Sequence, residues 1–107
     1  MKEIVDGQLY DTDADGTDII ATHNPIADRG DFNFLHERLC RTESGRYFLA
    51  GEGGPMTDYR KRVGSGEYTG SSEITPLSDA EAFEWMQSND IATEIILDEF
   101  GDRVEEA

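Results

Sequence analysis

The sequence predicts an α+β domain: a small antiparallel sheet of about four to five strands arranged in hairpins, followed by two C-terminal α-helices packed on one face. Three observations point there. Short β-rich runs separated by Asp-Gly and Gly-containing links fill residues 2–50. A capping box opens an amphipathic stretch near residue 78. The length, 107 residues, fits one domain, assigned to residues 1–102, with residues 103–107 as a fraying acidic tail.

Ile4-Val5 and Leu9-Tyr10 flank Asp6-Gly7, a pair that supplies the positive φ angles of a two-residue hairpin turn. After an acidic loop, Ile19-Ile20-Ala21 reads as a strand ended by Asn24-Pro25. Phe32 to Cys40 and Arg46 to Ala50 read as a second hairpin around Thr42-Glu43-Ser44-Gly45. Within it Tyr47 and Leu49 fall on one face, Phe48 and Ala50 on the other. Residues 51–70 hold six of the chain's eleven glycines and read as a long glycine-rich loop. Ile74 to Leu77 is a further extended stretch, able to join the sheet. Ser78 and Glu81 then form the N-cap and N3 of a helix running to about Ser88. A second helix is expected from about Ile91 to Phe100, with Gly101 placed to end it. The expected core is Phe34, Leu39, Phe48, Phe83, Met86 and Ile95.

Charge bounds function more tightly than hydrophobicity does. Asp and Glu number 24 against 9 Lys and Arg, for a net charge of −15. Only Lys2 and Lys61 are lysines. Many carboxylates with scarce lysine suit a chain that stays soluble in molar salt, where screening cuts carboxylate repulsion to a few ångströms. The KCl-rich cytoplasm of a halophilic archaeon is the setting this predicts. Direct nucleic-acid binding is disfavoured, because phosphates would be repelled. No apolar run is long enough to cross a membrane, and residues 1–6 have no secretory-signal character. The single Cys40 allows no internal disulfide and is expected in the core.

The charge is unevenly placed. Residues 1–28 sum to −6, residues 29–62 to +2, and residues 63–107 to −11. The simplest reading of the basic middle is neutralisation by the acidic flanks. The sharper reading is a binding surface centred on Tyr59-Arg60-Lys61-Arg62, an aromatic followed by three cations.

Other patterns point less far. Asp11, Asp13 and Asp15 with Gly16 match the opening of a calcium-binding loop. The later positions fail, since Asp18 and Thr22 stand where an apolar residue and a bidentate Glu belong, so a solvated acidic turn is expected and no metal. Gly51-Glu52-Gly53-Gly54 lacks the Gly-Lys-Ser/Thr ending of a phosphate loop. His36 and Cys40, on one strand face, would sit about 13 Å apart and form no nucleophile pair. Arg29-Gly30-Asp31 carries no functional weight.

The stretch Leu39-Cys40-Arg41-Thr42-Glu43-Ser44-Gly45-Arg46-Tyr47-Phe48-Leu49-Ala50-Gly51-Glu52-Gly53-Gly54-Pro55-Met56-Thr57-Asp58-Tyr59, with Ile74-Thr75-Pro76-Leu77-Ser78-Asp79-Ala80-Glu81-Ala82-Phe83-Glu84-Trp85, resembles a family of small acidic bacterial and archaeal proteins. These often occur near mobile elements, and their function is uncharacterised. The resemblance covers about residues 32–90. The chain departs from it at Cys40, where the family pattern has an aromatic, and in the longer acidic loop of residues 11–18. It implies that the glycine block and Tyr59 are shared features, and it carries over no catalytic residue.

The expected function is therefore a non-enzymatic protein-interaction or regulatory module adapted to high salt. Its binding residues would be Gly53, Gly54, Tyr59, Arg60, Lys61 and Arg62, its partner an unidentified protein, with no cofactor. One alternative is a small ligand-binding protein or enzyme with a pocket flanked by His36, Glu52 and Tyr59. Another is an acidic nucleic-acid mimic acting through the helical carboxylates Asp79, Glu81, Glu84, Asp90, Glu94, Asp98 and Glu99.

Overall fold

The computed structural model describes residues 1–107. Strands β1 (Lys2–Val5) and β2 (Gln8–Asp11) form a two-stranded hairpin. Asp6 and Gly7 turn it with φ angles of 51° and 78°, the geometry the Asp-Gly pair predicts. Strands β3 (Asp18–Ile26), β4 (Leu35–Arg41), β5 (Tyr47–Gly53) and β8 (Ser71–Leu77) make an antiparallel sheet in the order β3-β4-β5-β8. Between β5 and β8 the chain forms a separate two-stranded ribbon, β6 (Lys61–Gly64) and β7 (Glu67–Thr69). Helices α1 (Asp79–Ser88) and α2 (Thr93–Phe100) follow, then a 3₁₀ turn at Gly101–Arg103. The α+β class holds, with more strands than expected, in three sheets rather than one.

Strand β5 is buried along most of its length, and its alternation divides the core in two. Cross-strand pairing sets Leu39 opposite Leu49 and Cys40 opposite Phe48. One cluster joins Ala21, Leu39, Tyr47 and Leu49 to Ala82, Met86 and Phe100. The other joins Cys40, Phe48, Ala50 and Ile74 to Tyr10 of the N-terminal hairpin, with Met1 and Val5 against it. Tyr10 meets Phe48 edge-on at 5.3 Å between ring centres. Burial pushes the Cys40 thiol pKa up, as suits a core cysteine.

The capping box of α1 forms as expected: the Ser78 hydroxyl accepts from Glu81 N–H, and the Glu81 carboxylate accepts from Ser78 N–H. These bonds hold the Glu81 carboxyl below its usual pKa. A charged network ties α2 to the strands. The Arg41 guanidinium pairs with Glu99 on α2 and with Asp18 on β3, while Tyr47 OH donates to Glu99 at 2.6 Å.

Several boundaries differ from the sequence expectation. Strand β3 continues through Asn24-Pro25 to Ile26, which an edge strand tolerates because a proline's missing donor faces no partner there. Phe32 lies before β4 and is exposed. Helix α2 starts at Thr93, two residues later than expected. Ile95 is 37% exposed, so it is not core; Ile96, one step round the helix, packs against the first cluster instead. The opposite sheet edge, β8, is guarded: the Glu3 carboxylate accepts from the outward Ile74 N–H at 3.1 Å. The next outward position is Pro76, which has no N–H to offer.

Tyr47 is the group whose titration this packing controls. Burial and the Glu99 carboxylate raise its pKa from the usual 10 to about 12. Its neutral form is favoured in the fold, so that stabilisation is complete below pH 10 and is lost as pH rises towards 12. Tyr47→Phe should therefore flatten part of the alkaline fall in unfolding free energy over that interval, followed by guanidinium titration at stepped pH. An unchanged slope would show that Tyr47 titrates alike in the folded and unfolded states, with no shift from its environment.

Candidate functional site

Gly51 and Gly53 are not loop residues but the last turns of the pleat of β5. Two positions apart, they face the same side, between Glu37 and Leu35 on β4 and Glu73 and Ser71 on β8. Without side chains they leave a trough in the sheet, and Tyr59 lies in it. A Cβ on Gly51 would collide with the Tyr59 ring and hydroxyl, and one on Gly53 with the Thr57 hydroxyl. Here glycine serves close approach of a folded-back segment, not flexibility.

The turn that returns Tyr59 to the strand is held by its own polar groups. Thr57 Oγ1 donates to Gly54 O at 2.8 Å and accepts from Tyr59 N–H at 3.2 Å. The Ser71 hydroxyl donates to Tyr59 O. Tyr59 is buried, and its OH donates to Glu37 Oε2 at 2.6 Å. Trp85 Nε1 reaches the other Glu37 oxygen at 3.4 Å. Burial, then Glu37, drives the Tyr59 pKa up, so the phenol stays a protonated donor and is no general base.

Of the expected binding residues, Gly53, Gly54 and Tyr59 are thus framework. Arg60, Lys61 and Arg62 are displayed. They lead into the β6–β7 ribbon, whose strand residues are exposed apart from half-buried Gly64. The register sets Arg62 opposite Tyr68, and the Arg60 guanidinium sits 4.8 Å from the Tyr68 ring centre. Arg62 Nε donates to Gly64 O, leaving the rest of its guanidinium fork free. None of the three cations ion-pairs with a carboxylate. Neutralisation by the acidic flanks holds for Arg41, which pairs with Asp18 and Glu99, but not for the ribbon.

The same end of the sheet gathers apolar surface. Leu35, Gly53 and Ser71 are register partners, so β4 starts, β5 ends and β8 starts there. Met56 N–H donates to Phe32 O at 2.9 Å, setting two exposed side chains, Phe32 and Met56, beside each other. Val63 and Tyr68 on the ribbon are exposed too. Beside the Tyr59 turn lies a groove of about 520 Å³ lined by Leu35, Glu37, Met56, Asp58, Glu73 and Thr75 among others.

A pocket flanked by His36, Glu52 and Tyr59 does not form. His36 is the register partner of Glu52, while Tyr59 lies over Gly51, the next position, on the opposite face. Glu52 is instead gripped by both forks of Arg29, at 2.8 and 3.2 Å, which lowers its pKa. Asp11, Asp13 and Asp15 do not converge; no group of three or more His, Cys, Asp or Glu is placed to hold a metal ion. Asp11 instead accepts from Asp13 N–H, a local turn bond. Among the helical carboxylates, Glu81 is engaged in the cap and Glu99 by Arg41 and Tyr47. No helix is long and apolar enough to cross a membrane.

Glu37, Thr57 and Trp85 escaped the sequence reading as site-building residues. The available signal was glycine at alternate positions on a strand, which marks a trough awaiting a side chain.

No protein-family model, curated protein or solved structure matches the chain.

The trough makes a direct prediction. Gly51→Ala should cost about 1–3 kcal/mol by overpacking against Tyr59. In a Gly51→Ala/Tyr59→Ala double variant the cost should fall short of the sum of the single costs by about 1 kcal/mol or more. Denaturant unfolding of the four proteins measures this; additive costs would mean that Tyr59 does not fill the trough.

Proposed function

We propose that this protein is a non-enzymatic interaction or regulatory module suited to high salt, with a protein partner. Its contact surface is the sheet end carrying the β6–β7 ribbon. The observation that carries this reading is the run Arg60-Lys61-Arg62: three adjacent cations without an ion pair, on an exposed ribbon, in a chain of net charge −15. A chain with so many carboxylates has ample means to neutralise three cations, and here none of the three is in contact with one. Exposed Phe32, Met56, Val63 and Tyr68 add the mixed apolar and cationic character of a contact surface.

The scaffold suits the role. Ala82, Met86 and Phe100 of the helices join one core cluster and Tyr10 of the N-terminal hairpin joins the other, while the ribbon strands stay largely exposed. Tyr59 anchors the root of the ribbon through Glu37 and Trp85, which gives a projecting element a fixed base.

The test is a pull-down from lysate of the source organism in molar KCl, comparing wild type with Arg60→Ala/Lys61→Ala/Arg62→Ala. The exposed substitutions should change unfolding free energy by no more than about 0.5 kcal/mol. A protein retained by wild type and lost by the variant is the expected outcome; equal capture by both would remove the ribbon from the interface.

A further inference from the structure

We infer that the ribbon end is also a self-association surface, on which the β6–β7 ribbon of one molecule seats in the Glu37–Asp58–Glu73 groove of a second copy, and the reverse. This rests on the reading of the ribbon as a contact surface and names one occupant for it.

The ribbon comes first. Two-stranded hairpins are marginal in water unless something covers them. This one is a sheet of its own, and its exposed Val63 and Tyr68 have no core to join. Its outer edges lack strand partners, an arrangement that favours contact with another chain. Its cations lack carboxylate partners. The occupant must therefore supply carboxylates, some apolar surface and a concave shape.

The groove beside the ribbon's own root supplies all three. It is lined by Glu37, Asp58 and Glu73, with Leu35 and the exposed Met56, and no cation lines it. Asp58 and Glu73 take part in no ion pair. The molecule cannot close this contact on itself by the route the chain takes: Asp58 and Arg60 are separated only by Tyr59, which is buried in the trough and holds the two on a fixed turn. Because ribbon and groove are neighbours, a two-fold axis beside Met56 lets each copy give its ribbon and receive the other's. That is an isologous, closed contact, which stops at the dimer. Two ribbons pairing edge to edge along β6 would instead crowd the Lys61 and Arg62 cations of the two copies together, a like-charge contact that salt screens only in part.

The experiment is sedimentation equilibrium at the lowest KCl concentration that keeps far-UV circular dichroism native. Wild type should dimerise with a Kd tighter than about 0.1 mM. A ribbon variant, Arg60→Glu/Lys61→Glu/Arg62→Glu, and a groove variant, Asp58→Lys/Glu73→Lys, should each weaken this at least about tenfold. Glu37 is left intact because Tyr59 and Trp85 need it. An equimolar mixture of the two variants restores opposite charge at both contacts and should recover dimer. Monomeric wild type, or natively folded variants whose mixture stays monomeric, overturns the inference. If wild type is monomeric yet the lysate pull-down still depends on the ribbon cations, self-association fails while the proposed function stands. If neither is seen, both fail.

Discussion

Everything in this fold depends on β5 being a strand that is covered on both sides. Phe48 and Ala50 feed one core while Tyr47 and Leu49 feed the other, and the same strand then runs on into Gly51 and Gly53. A one-residue slip against β4 would exchange the two sets and set Leu39 against Phe48 or Ala50. The register is therefore fixed twice over, by two clusters with different membership. The trough that receives Tyr59 exists only because that register is fixed, since Gly51 must fall beside Glu37 for the phenol to find its acceptor. The candidate surface is in this sense an outgrowth of core packing.

Salt sharpens the distinction between charges that hold the fold and charges that do not. In molar salt the screening length is about 3 Å, so charges interact only in contact. Arg41 with Glu99 and Arg29 with Glu52 meet that condition through direct hydrogen bonds. Most of the remaining carboxylates make no ion pair. The ribbon cations belong to neither group, and their contact range is empty of anions within the molecule.

The strand alternation of Tyr47 to Ala50, the Asp-Gly hairpin and the Ser78/Glu81 cap were legible because each rests on local rules: pleat period, positive φ and side-chain capping. The α+β class followed from them. The glycine block was not legible as strand, because glycine has low β propensity and its reason for being there, Tyr59, is a tertiary partner. The β6–β7 ribbon was hidden for a related cause: Gly64 and Gly66 read as loop, when Gly64 ends one very short strand and Gly66, with Ser65, turns the hairpin. Ile95 was misplaced because the stripe of α2 that meets the first core runs through Ile96 and Phe100, one helical turn apart, and leaves Ile95 beside it. For the candidate site, the cations were found from charge alone. Their framework of Glu37, Thr57 and Trp85 was not, since no local pattern relates residues so far apart in sequence.

Glu3 has a place in this structure larger than one hydrogen bond. It sits on a small hairpin that also plugs the second core with Tyr10, so one element both seals apolar surface and blocks the outer rim of β8. Peeling that hairpin away would bare Phe48 and release an adhesive strand margin in the same event, with only Pro76 left to oppose strand addition. Resistance to aggregation in this molecule is thus held by its first dozen residues. An apparently peripheral flap acts as the guard against fibre-like growth, latched to the sheet rim through the Glu3 carboxylate.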